Sequence, residues 1–577
     1  MNEHSRVNFA LCWHMHQPWY QRGLDGDYQL PWVYLHAMKD YSDMAAHLEA
    51  HPAMKVTVNF APVLLEQLDD YAQQLHQWLQ AGSRMSDPLL NLLAGVTDIP
   101  ADVEQRCQLL RDCQRANAEK MIDPYPGFRK LLQPLKNMFS GEAKIAKNNV
   151  FLKYLDPQYF VDVLVWYHLA WLGHSLKQTD TAQRLIKKEA LFDDTDRTEL
   201  VSLIHECIAG LIPRYRALAE SGQIELSMTP YGHPIIPLLN DIKNMDCAQP
   251  DAPKPGFTHY PGGKERSRWH IQKGIDCFEH YFGMRPLGIW LSEGAISEDA
   301  IAMVEEFDFK WTASGEAVWN HSMKLSDLDT GKESVISKRA LFHTYQLKDY
   351  EPKIFFRDDG LSDLIGFEYS KRNSVEAAED LVNNLVNIAN FLGDSASRHV
   401  VTIILDGENA WEYYPHNGHY FLDHLYLRLS DHNRVRSACF SELTRMPMCH
   451  DLEEMCPGSW VYGSFSTWIG QKDKNRAWEL LTEAKIAYDK VIAANTLDEE
   501  TVSLATRQLA IAEGSDWFWW FGDVNPSESV SEFDKLFRTQ LKNLYHILKL
   551  PLPDELENPV SLGGSSAENA GTMVRNV

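Results

Sequence analysis

Val401-Thr402-Ile403-Ile404-Leu405-Asp406-Gly407-Glu408-Asn409 is the stretch that decides the fold class. An unbroken run of apolar and β-branched residues gives way abruptly to acidic residues and a glycine. A short run of this kind, bounded by turn residues, is typical of a buried strand in a parallel sheet. Asp406 then comes directly after the carboxyl end of the strand, where barrel-like α/β enzymes place their site residues.

Short runs of the same kind recur along the chain, with longer helical patterns between them at 40–50, 266–282 and 374–392. Strands that alternate with helices predict βαβ units and a parallel sheet. Seven strands with polar residues at their carboxyl ends predict a barrel-like closure with the site at that face. The predicted strands are 7–13, 55–60, 223–228, 287–290, 309–313, 353–357 and 399–405.

Two segments depart from this alternation. Residues 64–221 are helix-patterned and interrupted by prolines, which predicts a helical insertion. After the last strand, residues 475–490, 499–513 and 529–548 have helical patterns and predict a second, α-helical domain. The end of the chain is rich in Pro, Gly, Ser and Asn, which is typical of a loose tail. The expected units are a catalytic domain over 1–430, a helical domain over 431–550 that closes over the site, and a flexible tail over 551–577.

Charge and composition exclude several function classes. The 577 residues are 44% hydrophobic and 23% charged, as in a soluble globular protein, and their formal net charge is −25. This charge opposes binding to nucleic acid or to an anionic membrane and suits a neutral substrate. We find no run near the ~20 apolar residues of a membrane-spanning helix and no signal-peptide pattern. Nine cysteines without a CxxC pair indicate free thiols and a cytoplasmic protein.

Glu293 and Asp406 are the candidate catalytic residues. The segment Gly288-Ile289-Trp290-Leu291-Ser292-Glu293 places a second carboxylate just beyond a buried strand. Retaining glycoside hydrolysis needs two carboxyl groups about 5–5.5 Å apart, one as nucleophile and one as acid/base. We therefore expect the two groups to face each other across a cleft. The competing structural interpretation is helix N-capping by Asp406 or Ser292.

Three further polar residues lie in or after predicted strands. A period of two places His14 and His16 on one face of the first strand, where they could bind a metal or donate hydrogen bonds to sugar hydroxyls. Glu225 lies inside an apolar strand, where a carboxylate is costly unless it is paired. It therefore either forms an ion pair, for example with Arg357, or serves the site by binding substrate or orienting a catalytic partner.

Aromatic residues form two patches. Residues 457–470 carry Trp460 and Trp468 in a loop before a helix, and they suit a platform on which a sugar ring stacks. Residues 515–523 are densely aromatic, and packing is the more common reason for such a run. Composition does not distinguish sugar binding from core packing for these aromatic residues.

Five separated motifs, in this order along the chain, resemble those of glycoside hydrolase family 57. They are His16-Gln17-Pro18, Gly222-Gln223-Ile224-Glu225, Gly288-Ile289-Trp290-Leu291-Ser292-Glu293, Leu405-Asp406-Gly407-Glu408-Asn409 and the region from Trp460 to Trp468. Further stretches, among them Asn59-Phe60-Ala61-Pro62 and Phe356-Arg357, are similar to the α-amylase and amylopullulanase branch. The resemblance spans about residues 7 to 523, and five motifs in order are far more specific than any one of them.

The resemblance implies a distorted (β/α)7 barrel followed by a helical domain. It also implies a retaining mechanism on α-glucans or malto-oligosaccharides, of α-amylase, amylopullulanase or 4-α-glucanotransferase type, without metal or cofactor. It places the nucleophile on Glu293 and the acid/base on Asp406. Tyr413 stands where some relatives have a tryptophan. The implied substrate contacts are His14, His16, Glu225, Trp290, Tyr413, Trp460 and Trp468.

Two alternatives remain at this point. One is a metal-dependent deacetylase or mannosidase on a related barrel, with His14, His16 and an aspartate as ligands. The other is a non-catalytic glucan-binding protein, although such a protein would not need both Glu293 and Asp406. The sequence does not separate α-1,4 from α-1,6 specificity, hydrolase from transferase, or one oligomeric state from another.

Overall fold

The computed structural model describes residues 6–139, 151–325, 334–446 and 448–564. In this part of the chain most of the residues in regular structure are helical. The strands are β1 (Val7–Met15), β2 (Val56–Phe60), β3 (Ile224–Met228), β4 (Trp311–Ser314), β5 (Tyr345–Leu347), β6 (Lys353–Phe356), β7 (Val400–Asp406), β8 (Val435–Ser437) and β9 (His450–Leu452).

The helices alternate with these strands and also form two uninterrupted groups. They are α1 (Trp32–His36), α2 (Ser42–Ala50), α3 (Pro62–Ala81), α4 (Pro88–Leu93), α5 (Val103–Asp112), α6 (Pro126–Phe139), α7 (Phe151–Tyr154), α8 (Pro157–Trp171), α9 (His174–Lys177), α10 (Asp180–Lys188), α11 (Asp194–Glu220), α12 (Ile236–Asn240), α13 (Met245–Ala248), α14 (Gly263–Phe282), α15 (Glu298–Glu306), α16 (Glu316–Leu325), α17 (Ser334–Leu341), α18 (Asp359–Asp363), α19 (Ser374–Leu392), α20 (His419–Ser430), α21 (Phe440–Leu443), α22 (Lys472–Ala494), α23 (Glu499–Ala512), α24 (Asp516–Trp520) and α25 (Ser527–Ile547).

The first sheet places β3, β2, β1 and β7 side by side in that order, all parallel, and β8 also pairs with β1. Every residue of β1 is buried, which is the pattern of a parallel strand covered on both faces. Its register sets His14 opposite Asn59 of β2 and opposite Asp406 of β7. The carboxyl ends of three strands therefore meet at one edge.

The second sheet has the order β4-β6-β5-β9, with β4 and β6 parallel. Residues 288 and 289 join it to the first sheet through two parallel bridges, from Ile289 to Met228 and from Gly288 to Trp311. A side chain at Gly288 would collide with the Trp311 ring, since a Cβ there would lie 1.8 Å from the indole. At the other edge, the Asp358 amide donates a hydrogen bond of 2.8 Å to the Thr402 carbonyl in β7.

The expected α/β class with a parallel sheet is confirmed. The predicted strand at 287–290 is wrong as a strand, because those residues form only isolated bridges. The other predicted strands appear with bounds shifted by at most two residues. Prediction missed β5, β8 and β9, which span three residues each and are too short for a period to be visible in the sequence.

The helical insertion runs between β2 and β3 and contains α3 to α11. Some of the prolines that interrupt the sequence pattern there begin helices, namely Pro88 in α4 and Pro126 in α6. Pro88, for example, occupies the first turn of α4, where the side chain of Asp87 accepts hydrogen bonds from the amides of Leu89 and Leu90. Within the described residues, no helix combines the length and the apolarity needed to cross a membrane.

The helices after β9 include α22, α23 and α25, close to the predicted positions. The tail expected from residue 551 onward is held in place as far as 564: the Asp534 carboxylate accepts hydrogen bonds from the amides of Val560 and Ser561, and Leu556 is buried. Residues 565–577 lie outside the described part of the chain.

A buried ion pair fixes α23 to α14. Glu513 accepts hydrogen bonds from Arg266, from His270 and from the Tyr260 hydroxyl, at 2.7 to 3.0 Å. Burial alone would raise the pKa of Glu513, but the charge of Arg266 and the hydrogen bond from His270 hold it down at about 2. A carboxylate with a depressed pKa stabilises the fold above its unfolded pKa, and this contribution is lost as the pH falls through the folded value.

We expect Glu513→Gln to lower the free energy of unfolding by about 3–5 kcal/mol at pH 7, because it leaves Arg266 buried without a counter-charge. Between about pH 4.5 and pH 2 the difference from the wild type should shrink, as the wild-type carboxylate becomes protonated. Urea unfolding at pH 7 and at pH 3 measures this. Glu500→Gln, at an exposed glutamate in the first turn of α23, is the control. A penalty for Glu513→Gln that is the same at both pH values would contradict the linkage.

Candidate active site

A cavity of about 1030 Å³ lies at the carboxyl ends of β1 and β7. Its floor comes from strand-end residues of the parallel sheet. Its walls include residues of the helical insertion and of α24 and α25. The lining includes His14, His16, Gln17, Trp32, Trp171, Glu293, Asp406, Glu408, Tyr413, Trp460, Asp516, Trp519, Trp520 and Glu532.

Glu293 lies in a tight turn at Ser292–Gly294, where its backbone is left-handed, with φ 60° and ψ 22°. A non-glycine residue in this region costs of order 1–3 kcal/mol and occurs mainly where the surrounding structure holds it for a function. Here two hydrogen bonds from Trp460 hold the turn. Its amide donates to the Glu293 carbonyl at 3.0 Å, and its indole Nε1 donates to Glu293 Oε2 at 2.9 Å. The carboxylate is thereby aimed at the cavity by a residue of the fifth motif.

Asp406 is the last residue of β7, and its Oδ2 accepts a hydrogen bond of 2.8 Å from the Asn409 side chain. Burial raises the pKa of Asp406, while Asn409, His16 and Arg357 oppose the rise. Burial also raises the pKa of Glu293, well above its usual range, and the neighbouring charge of Asp406 adds to the rise. Because the charge of Asp406 disfavours the ionised form of Glu293, the two carboxyl groups interact electrostatically, as an acid and a nucleophile of one site do.

Both pKa values are raised in the cavity without substrate, so each shift favours a protonated carboxyl group. A nucleophile must be ionised and a general acid protonated, so the roles implied by the family motifs require the proton to reside on Asp406 when the glycosidic bond breaks. The electrostatics of the free cavity therefore identify a coupled pair and do not assign its two roles.

Three imidazole rings stand beside this pair. His14 Nδ1 lies 2.7 Å from Asn59 Oδ1, and His233 Nδ1 lies 2.8 Å from the Ser515 hydroxyl. Burial and the neighbouring His16 lower the pKa of His14 to about 3, and burial also lowers the pKa of His233 well below its usual value. Both rings are therefore neutral at pH 7, and each has one nitrogen available to a hydroxyl group.

The same three histidines could be read as a metal site, since one nitrogen of each lies within 4.8 Å of the others. Their orientation argues against this. The rings of His16 and His233 are stacked face to face, with centroids 3.7 Å apart and an angle of 15° between planes. Imidazole lone pairs lie in the ring plane, so two stacked rings cannot both point at an ion ~2.0–2.1 Å from each nitrogen. The arrangement suits hydrogen bonds to separate sugar hydroxyls.

Of the residues predicted to contact substrate, His14, His16, Tyr413 and Trp460 line the cavity. Trp290 is fully buried behind Trp460, with ring centroids 5.2 Å apart in an edge-to-face contact. It supports the cavity wall and is absent from the lining among the described residues.

Glu225 and Trp468 are placed elsewhere. The carboxylate of Glu225 accepts hydrogen bonds from Trp311 Nε1 at 2.7 Å and from the Ser441 amide at 2.8 Å, so its partners are structural and do not include Arg357. Trp468 is fully buried and packs against Trp519, with centroids 5.9 Å apart. Neither residue is among the described residues that line the cavity, and the geometry does not support their predicted contact with substrate.

Sequence interpretation missed several residues of the cavity. It also missed His233, which stacks on His16 without itself lining the cavity, and which a search for polar residues just after each strand would have found. Glu408 is buried in the fourth motif and accepts a hydrogen bond of 3.1 Å from Gln17. Asp516, Trp519 and Trp520 come from the aromatic run that was interpreted as packing, and no local pattern marks them as part of the site.

A parallel α/β fold with two coupled carboxyl groups in an aromatic cavity at its strand ends is the arrangement of enzymes that act on glycosidic bonds. The model of glycosyl hydrolase family 57 matches residues 10–453, and the chain belongs to this family. The protein is therefore an enzyme of the glycoside hydrolase kind.

Solved structures share the fold at low sequence identity. A branching enzyme from Thermococcus kodakaraensis is 14% identical with a TM-score of 0.55, over 94% of this chain and 90% of that one. A branching enzyme from Pyrococcus horikoshii is 14% identical with a TM-score of 0.54, over 97% of both chains. The α-amylase AmyC from Thermotoga maritima is 12% identical with a TM-score of 0.56, over 96% and 95%. No curated protein sequence matches this chain.

Proposed function

We propose that this enzyme cleaves α-glucosidic bonds in α-glucans by a retaining mechanism and passes the glucosyl unit to water or to a sugar acceptor. The observation that carries the proposal is the coupled pair Glu293 and Asp406, each held by its own hydrogen-bond donor at the wall of one cavity. A cavity rich in tryptophan and tyrosine suits the apolar faces of a neutral sugar chain. Structural relatives that are branching enzymes and an α-amylase support both outcomes on this fold.

We further infer that the strands complete a distorted (β/α)7 barrel. Residues 288–290 supply the link between β3 and β4, and the hydrogen bond from Asp358 to Thr402 joins β6 to β7. On this proposal residues 1–430 form the catalytic domain and 431–550 the helical domain, whose α24 and α25 form one wall of the cavity.

The proposed reaction has two displacements. Asp406 gives its proton to the glycosidic oxygen while Glu293 attacks the anomeric carbon, so the leaving sugar departs as an alcohol and a glucosyl ester forms on Glu293. Asp406, now ionised, takes a proton from water or from an acceptor hydroxyl, which attacks the anomeric carbon and releases Glu293. Trp460 and Asn409 hold the two carboxyl groups in place during both steps.

Neutral His14 can bind a sugar hydroxyl near the reacting carbon, because it lines the cavity opposite Asp406, and neutral His233 packs against His14 and His16. Tyr413, Trp460, Trp519 and Trp520 offer ring faces and edges further along the cavity. All nine cysteines are free, which supports a reducing compartment such as the cytoplasm.

Product analysis tests the proposal. Incubation with maltoheptaose should give shorter malto-oligosaccharides, together with longer ones if acceptor transfer occurs, and the first-formed product should have the α-configuration by NMR. Pullulan as a parallel substrate distinguishes α-1,4 from α-1,6 cleavage. Failure to cleave a panel of linear and branched α-glucans, or release of β-configured products, would overturn the proposal.

We expect activity to survive exhaustive chelation, because stacked His16 and His233 cannot share an ion. The measurement is the rate of maltoheptaose conversion after dialysis against EDTA, with and without added zinc, alongside the metal content of the dialysed protein. Loss of activity with EDTA and recovery with zinc would instead support the metal-dependent alternative.

A further inference from the structure

We propose that Asp516 is a positioning residue of this active site, which holds His16 in one orientation and one tautomer for contact with the substrate. This inference rests on the proposed function and adds a residue to it. Asp516 lies outside residues 10–453, which the family model matches. Its carboxylate oxygens lie 2.9 and 3.1 Å from His16 Nε2, across 500 residues of chain, and both side chains line the cavity.

The hydrogen bond defines the state of His16. An ionised carboxylate can only accept a hydrogen bond, so Nε2 carries hydrogen and donates it to Asp516, and Nδ1 has the lone pair when the ring is neutral. Nδ1 is buried and has no partner among the described residues. The His16 ring stacks against His233 and His14, with centroids 3.7 and 5.6 Å apart, and it lines the cavity. Asp516 thereby fixes both the orientation of this ring and the nitrogen that carries hydrogen.

The segment that carries Asp516 is hydrogen-bonded to the loop after β3 that contains His233. Ser515 makes two contacts with His233: its amide donates to the carbonyl at 2.9 Å, and its hydroxyl lies 2.8 Å from Nδ1. Close approach of the two backbones requires small residues, because a Cβ at Gly514 would lie 2.9 Å from the Gly232 carbonyl and one at Gly232 would lie 2.4 Å from the Ala510 carbonyl. Neighbouring residues 515 and 516 thus hold two of the three imidazoles.

The buried ion pair between Glu513 and Arg266 holds the segment with Asp516 in place. Glu513 is held by Arg266 and His270, and His270 Nδ1 accepts a hydrogen bond of 3.1 Å from the Gly232 amide, next to His233. The segment with His233 and the segment with Asp516 are therefore both connected to the Glu513 ion pair. The backbone sets the position of Asp516, and its carboxylate contacts the His16 ring.

The test uses Asp516→Asn in the full chain. An amide of the same shape can turn its NH₂ group to His16, which removes the preference for hydrogen on Nε2 or rotates the ring. We expect kcat on maltoheptaose to fall by about 10–100-fold, by analogy with the effect of removing the carboxylate partner of a metal-bound histidine. KM should change much less, because the stacking contacts are untouched. Asp523→Asn, the same change at an exposed aspartate of the same segment, is the control and should behave as the wild type.

Two further measurements separate positioning from folding. The melting temperature of Asp516→Asn should stay within a few degrees of the wild type, and Asp516→Glu, which restores a carboxylate, should recover part of kcat. In ¹⁵N-histidine-labelled protein the nitrogen shifts of His16, assigned with His16→Gln, should report hydrogen on Nε2 in the wild type and a changed state in Asp516→Asn.

Asp516→Asn with wild-type kcat, or with unchanged His16 nitrogen shifts, would overturn the inference. A large loss of melting temperature with no recovery in Asp516→Glu would also overturn it, since the role would then be structural. The proposed function fails separately, if the wild type itself cleaves no α-glucan. The nitrogen shifts still test the pairing in that case, because they need no turnover.

Discussion

Replacing Glu293 by Ala is expected to abolish turnover on every α-glucan, with kcat falling by about 10⁴-fold or more. Glu293 is the only group proposed to form the glucosyl ester, and its carboxylate is held at the cavity by Trp460 in a strained turn. Alanine also removes the partner of the Trp460 indole, so the melting temperature must be measured alongside the rate. Initial rates on maltoheptaose and on an activated α-glucoside provide the comparison.

Glu298→Ala is the matched control, since Glu298 is an exposed carboxylate five residues away in the first turn of α15. It should retain the wild-type rate. If Glu293→Ala kept a rate within tenfold of the wild type on either substrate, while remaining folded, Glu293 could not be the nucleophile.

Replacing Asp406 by Ala is expected to affect substrates unequally. A substrate with a good leaving group, such as an aryl α-glucoside or α-glucosyl fluoride that the site accepts, needs little protonation to depart. Its first displacement should persist, while the second becomes slow for lack of a base. The glucosyl ester should then accumulate on Glu293, and intact-mass spectrometry should show the added sugar. On maltoheptaose, whose leaving group needs the proton, the rate should fall by orders of magnitude.

Azide separates the roles of the two carboxylates. It needs no general base, so it should restore turnover of the activated substrate by Asp406→Ala and give the α-glucosyl azide, through attack on the β-linked ester. A β-glucosyl azide from this variant would mean that the roles are exchanged. This outcome matters here because burial and the charge of Asp406 raise the pKa of Glu293 in the free cavity, the reverse of what a nucleophile needs. The product configuration decides between the two assignments.

The sequence alone determined the parts of this protein that depend on local pattern. Buried parallel strands are visible as short apolar runs, and a polar residue directly after such a run marked Asp406 at the end of β7. Glu293 was marked in the same way, although the run before it forms only isolated bridges. The period of a strand placed His14 and His16 on one face. Five motifs in order then indicated the family, which the match over residues 10–453 confirms.

Only the tertiary structure decided which polar groups meet across long stretches of chain. Glu225 looked like a site residue because a carboxylate inside an apolar strand needs a partner, and the pattern does not say that Trp311 and Ser441 supply it. Trp468 looked exposed because it lies in a loop, yet packing with Trp519 buries it completely. Burial and pairing depend on contacts that the neighbouring sequence does not encode.

Asp516 is the clearest example of a residue whose partner cannot be predicted from the neighbouring sequence. Its own surroundings in the sequence are aromatic and indicate packing, while its partner, His16, lies 500 residues earlier. Local periodicity reports the backbone conformation and the side of an element that faces the core. The joining of two distant segments depends on close backbone approach at Gly232 and Gly514 and on a buried ion pair at Glu513, and these contacts exist only once the chain has folded.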